Sequence, residues 1–282
     1  MTHGFFNPDP EIYKKEKPYV CLVPLTNAPP GFQQSNVEYH NKDVNVCDIR
    51  RSEETFKLDV HGFQLVKHRP AYDAWHDGIR VIREYYPHIV DLLKSQLGAQ
   101  RVHIYDHTVI SPIHPSQNVQ GAPSISAHAG KYELEVHHTL DSPIHQVKED
   151  LPGESDALLR GHFQISHSVR HPIVEPIEQH PLALCDYRTS KLDGHPSDLV
   201  NPHFDSENLQ VAYSSLQKWY FINRQTIDEA WMIKMADSEA VVLLTTVQVA
   251  PHTSFVVPWA RKDCAPRESI EFRAYVFYGG AE

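Results

Sequence analysis

The sequence is most informative first in what it lacks. It has four cysteines, Cys21, Cys47, Cys185 and Cys264, far apart and without a CxxC pair. That spacing excludes a disulfide framework and fits a reducing cytosol. It also lacks a long apolar run. The longest, Ala240 to Ala250, is too short to cross a bilayer. The start, Met1-Thr2-His3-Gly4-Phe5-Phe6-Asn7-Pro8, has neither a basic segment nor an apolar one behind it, so no signal peptide is expected. A cytoplasmic location follows as the expectation. Positive charge is short as well: 26 Lys and Arg stand against 36 Asp and Glu, a net charge of -10. A phosphate backbone or an anionic membrane is thereby disfavoured as the main partner. No GxGxxG, GxxxxGK[ST], HExxH or GxSxG is present, so nucleotide-binding, zincin and nucleophile-elbow readings have no motif to stand on.

What is present suits a globular chain with a sizeable core: 282 residues, 41% hydrophobic and 22% charged. Residues 1–43 are rich in Pro and Asn and read as an extended arm, with a short strand at Tyr19 to Val23. The remainder, 44–282, reads as a single domain. Asn45 to Arg50 looks like a strand entering a turn, and Phe56 to Val66 like a hairpin around His61-Gly62. Asp73, Trp75, Ile79, Ile82, Tyr86, Ile89, Leu93 and Leu97 keep helical spacing, and Gly98 supplies a stop. Pro87 is not tolerated inside a helix, which predicts a helical pair over about 71–98 with Pro87 in the first turn of the second. From residue 100 onward, short strands near Val136, Ile165, Leu182, Trp219, Met232, Leu243 and Phe272 predict a mostly β chain folded as a double-sheet jelly roll. Helices are expected at His145 to Leu151 and after Pro196.

Twenty histidines invite metal sites everywhere, so position must decide. The informative stretch is C-terminal. His252 follows an apolar, β-branched approach, and beyond an irregular loop Arg267, Ser269, Glu271 and Arg273 share one face of a strand by the period of two. An imidazole followed by a strand-borne arginine is what an iron and 2-oxoglutarate site needs: one metal ligand, and a guanidinium to grip the far carboxylate of the oxo-acid.

Several segments together resemble one family: Asp48 to His68, Tyr85 to Thr108, Pro181 to Ser190, the Trp219-Tyr220-Phe221 strand and Pro266 to Phe277. They are similar to the fungal hydroxylase/desaturase family of non-haem iron, 2-oxoglutarate-dependent oxygenases, over roughly residues 44 to 278. The resemblance implies a double-stranded β-helix core, Fe(II) and 2-oxoglutarate as cofactors, and an iron held by an HxD motif and a distal histidine. His252 matches the distal ligand. Arg267 or Arg273 would anchor the oxo-acid, with Ser269 beside it. His137 matches the first ligand, and Thr139 then stands where the carboxylate belongs. In the alternative register His138 pairs with Leu140. Asp141 is a substitute only if a bulge draws it back, since an extended chain carries it about 13 Å past His137.

A second departure lies at Ser168-Val169-Arg170-His171-Pro172, where relatives carry N-x-W-R-P. The chain thus resembles a degenerate partner subunit: one that supports a catalytic paralogue in a heterodimer, as in fungal meroterpenoid pathways, talaromyolide biosynthesis among them. Its substrate class would be a terpenoid or meroterpenoid, and exposed aromatics such as Trp75 or Trp259 would face the partner. The alternative is a self-sufficient hydroxylase or desaturase with an atypical His/His site at His137 and His252.

Overall fold

The computed structural model describes residues 2–7, 10–21, 31–69, 71–111, 119–120, 128–129, 141–174, 176–190, 195–200, 205–239 and 249–279. Among these, two large sheets of eight and seven strands share a core. The eight-stranded sheet contributes Leu182–Cys185 and Trp219–Phe221 to that core, and the seven-stranded sheet contributes Phe63, Trp231 and Ile233. The mostly β, two-sheet expectation holds.

The period of two explains how one strand serves two cores. In Glu229–Ile233, Trp231 and Ile233 point between the sheets, while Ala230 and Met232 join a second core on the outer face of the seven-stranded sheet. That outer core is roofed by the helix Tyr86–Leu97, which inserts Ile89, Leu92 and Leu93. The helix ends where Gly98 takes a left-handed φ of 68° and its N–H bonds back to Lys94 O, the stop the sequence predicts.

Ahead of this helix the structure departs from two separate helices. Asp77 caps a single turn, Gly78–Arg80, by accepting from the Arg80 N–H. The chain then widens into a π-turn over Val81–Tyr85 and runs straight into Tyr86–Leu97. Proline has no N–H to give and its ring crowds the preceding turn, and the wide turn takes up that misfit without a break. The extra residue rotates the faces, so Val81 and Tyr85 are buried while Ile79 and Ile82 are exposed. Trp75 lies before the helix and is core, not a partner-facing aromatic, whereas Trp259 is exposed.

Two further expectations are corrected. Phe56 to Val66 is no hairpin. Leu58–His61 makes one helical turn, Gly62 closes it with φ 86°, and the strand Phe63–Lys67 follows. The segment after Pro196 is a strand, His195–Val200, paired antiparallel with Asp205–Gln210 rather than helical. The helix expected from His145 begins earlier and spans Asp141–Asp150. The strands expected near Val136 and Leu243 lie outside the described residues.

The N-terminal segment folds back on its own chain. Thr2–Phe6 pairs with Tyr39–Asp43 as a small sheet, and Phe5 is fully buried edge-on to Tyr213 and Trp219. Tyr19–Cys21 adds a parallel strand to the edge of the eight-stranded sheet. Phe5→Ala is expected to lower the stability of the whole domain by about 3–5 kcal/mol, read from the urea midpoint. An unchanged midpoint would mean that the segment is docked without contributing.

Candidate functional site

Three strands bring charge into the space between the sheets. His252–Ser254 belongs to the eight-stranded sheet, and Phe163–Pro172 and Ser269–Phe277 are neighbours in the seven-stranded one. On Ser269–Phe277, Ile270, Phe272 and Ala274 face the helix-covered core. The alternate residues Ser269, Glu271 and Arg273 therefore point the other way, as the sequence predicts.

Arg170 and Glu271 are direct cross-strand partners, and Arg170 Nη2 donates to Glu271 Oε1 at 2.7 Å. The same Nη2 lies 3.2 Å from His252 Nε2. The bonding roles follow from chemistry. Ala250 O, 3.0 Å from His252 Nδ1, can only accept, so Nδ1 donates. A guanidinium can only donate, so Nε2 accepts. His252 thus presents the lone pair that would bind a metal, and Arg170 occupies it.

Burial pushes the Glu271 carboxyl up, but the Arg170 and Arg273 guanidinium groups outweigh burial and hold it well below the usual carboxylate range. Ser168 Oγ also donates to Glu271 Oε1, at 3.0 Å. Arg273 is saturated with carboxylate: its Nη1 donates to Asp106 at 2.5 Å and its Nη2 to Glu271 at 3.1 Å. Burial would lower its pKa, yet Glu271 and Asp106 together raise it.

Arg267 is different. It is 5% exposed and reaches Ser269 Oγ at 3.0 Å and His180 O at 2.8 Å. His180 turns that carbonyl toward it from a left-handed backbone, φ 47°. Among the described residues Arg267 forms no ion pair and Nη2 no hydrogen bond. Burial, with Arg170 adding to it, pulls its pKa down to about 9. A buried guanidinium in that condition can take an anion as its partner.

His137, His138, Thr139 and Leu140 lie outside the described residues. Asp141 opens the helix Asp141–Asp150, so it is not on an extended strand of the kind a bulge would have to re-aim. At this cluster the donor set among the described residues does not fit a metal ion, because the His252 lone pair already faces a fixed cation; elsewhere His162, Asp237 and Glu239 lie close enough together to hold one. In the sequence Arg170 stands out only as a departure and Glu271 only as a face-mate of the arginines. The available signal was their opposite charge on strands that pair.

Comparison with known proteins bears on this centre. The family described as "YDMC: Oxidoreductase/YMDC permease-like domain" matches residues 4–277. The Fe(II)/2-oxoglutarate-dependent dioxygenase nvfI of Aspergillus novofumigatus is 32% identical, over 96% of this chain and 94% of that protein. The chain belongs to the fungal Fe(II)/2-oxoglutarate-dependent oxygenase family. Another relative, the gibberellin cluster GA4 desaturase of Gibberella fujikuroi, is 25% identical over 83% of this chain and 86% of its own length. The solved structure of the iron and alpha-ketoglutarate-dependent endoperoxidase NvfI superposes with a TM-score of 0.80 at 28% identity, covering 99% of this chain and 97% of that one. Fe(II) and 2-oxoglutarate are the cofactors of this family, and its fold is the jelly roll described above. Among the described residues no helix is long and apolar enough to cross a membrane.

Behind the charged cluster, on the helix-covered face, lies a neutral relay. His171 Nδ1 donates to Pro172 O at 2.8 Å, which leaves Nε2 to accept from Tyr85 OH at 3.1 Å. Tyr85 OH in turn accepts from His68 Nε2 at 3.0 Å. Trp75 and Phe272 pack around the His171 ring. Burial pulls the His171 pKa down from 6.5 to about 4. A depressed folded pKa means that the unfolded chain takes up a proton the native imidazole refuses. Stability from this residue is therefore full above about pH 6.5 and lost as the pH falls toward 4, roughly 3 kcal/mol in all. The difference in stability between the native chain and His171→Gln, followed by denaturant melts from pH 7.5 to 4.5, should shrink across that window. A constant difference would remove His171 as its source.

Proposed function

We propose that this chain is a metal-silent member of the oxygenase family that supports a catalytic paralogue as the second subunit of a heterodimer. The observation that carries the reading is the 3.2 Å contact between Arg170 Nη2 and His252 Nε2. Fe(II) would have to displace a guanidinium that Glu271 holds at 2.7 Å. Breaking such a buried pair costs about 3–5 kcal/mol, and Thr139 at the matching position offers no carboxylate in return. In this reading the paralogue supplies the iron and oxidises a terpenoid or meroterpenoid substrate. Exposed Trp259 stands beside the edge strand Val46–Asp48 across a cavity of about 580 Å³, which supports that edge as the partner-facing side.

The test is anaerobic Fe(II) and 2-oxoglutarate binding by the isolated chain, followed by succinate release on adding O2. The expected result is no iron uptake and no succinate, with activity rising when the paralogue is present. Stoichiometric iron with succinate release by the chain alone would overturn the reading.

One observation favours the second reading, a self-sufficient hydroxylase or desaturase with His137 and His252 as ligands. Arg267 and Ser269 retain a buried grip for a carboxylate, whereas Arg273 is already committed to Asp106 and Glu271. In this reading Arg267, not Arg273, takes the far carboxylate of the oxo-acid. Millimolar 2-oxoglutarate is expected to raise the thermal midpoint of the native chain and to leave that of Arg267→Leu unchanged. Equal stabilisation of both would remove Arg267 from that role.

A further inference from the structure

Arg170 Nη2 stands at the meeting point of two side chains that are both competent metal donors, His252 Nε2 at 3.2 Å and Glu271 Oε1 at 2.7 Å. An imidazole nitrogen and a carboxylate oxygen suit first-row divalent cations. The two donors come from different sheets, so one nitrogen atom ties the eight-stranded sheet to the seven-stranded one. Both are buried, His252 at 1% and Glu271 at 4% exposure. Each is also held by other groups: His252 through Nδ1 by Ala250 O, and Glu271 by Arg273 Nη2 on Oε2 and by Ser168 Oγ and Arg273 Nε on the Oε1 that faces Arg170. Neither donor needs Arg170 in order to keep its aim. Glu271 is not a residue that family resemblance assigns to the metal.

We propose that Arg170 is a resident cation taking the structural place of a metal ion between the sheets, and that removing its guanidinium uncovers a divalent-cation site formed by His252 and Glu271. The inference rests on the reading that the native chain binds no iron. It goes further by naming the group that replaces the ion and a carboxylate from another strand that would serve as ligand. A fixed positive charge between the same donors gives the sheets the same clamp without an open coordination position. The chemistry of an open position is lost with it.

The experiment titrates Co(II), without O2, into the full chain in four forms: native, Arg170→Ala, Arg170→Met, and Arg170→Ala with Glu271→Gln. The readouts are visible d–d absorption and the thermal midpoint. The native chain is expected to show no bands. Both single variants should melt lower by on the order of 10 °C, develop Co(II) bands, and regain much of the lost midpoint with the metal. The double variant should do neither. The methionine variant keeps most of the apolar stem of the side chain, so a packing defect is separated from loss of charge. Single variants that fold but show no bands overturn the proposal, as do bands that survive Glu271→Gln. Variants that fail to fold even with Co(II) present overturn it too, because the metal is held to replace the guanidinium. Bands in the native chain would instead overturn the reading on which the inference rests.

Discussion

Two sheets facing one another across an apolar core need little more than hydrophobic burial to stay together. This interior must also hold opposite charges close together. In this chain the requirement falls on the guanidinium of Arg170, which reaches from one sheet to His252 on the other and is neutralised by the directly opposed Glu271. The neighbouring groups follow from that choice. Glu271 needs a second cation to remain ionised so far from water and has Arg273, which Asp106 in turn balances. Arg267 is left with neutral partners, Ser269 and the His180 carbonyl. The cluster is close to charge-balanced at every link except the last, and that exception is where the proposed reading puts an anionic ligand.

The order of these groups also separates two roles that family members combine. In the proposed reading, the grip for an oxo-acid is made by Arg267, just before the last strand, and Ser269, its first residue, and would need no metal to be built. The oxidising centre depends on donors from several strands converging on an empty point. In the reading proposed above, Arg170 fills that point, which disables the second role and leaves the first untouched. Such a chain would keep the family's shape, and affinity for one of its ligands, while its chemistry was delegated elsewhere.

Much of this was legible in the sequence where local periodicity and local chemistry agree. The alternation placed Ser269, Glu271 and Arg273 on one inward face, while Arg267 lies just before the strand. Gly98 correctly ended its helix, and the spacing of short apolar runs correctly gave a two-sheet β fold. Legibility failed where the deciding contact was distant. Nothing local says that Arg170 opposes Glu271, because strand register is set by the whole sheet. The segment after Pro196 reads as helix until its pairing with Asp205–Gln210 is known. Likewise Asp73 and Trp75 have helical spacing by coincidence, with Trp75 buried from a loop.

The π-turn over Val81–Tyr85 has a consequence for the surface around it. One surplus residue in a helix turns everything before it by about 100° relative to everything after it. The rear segment, from Tyr86 on, is locked to the core by Ile89, Leu92 and Leu93, so it is the leading turn that swings, carrying Ile79 and Ile82 outward. Deleting a single residue there would swing it back and hide those side chains, but it would also turn Val81, buried in the core from the same turn, out of its place. The exposure of that shoulder and the packing beneath it are thus set together by the length of one turn.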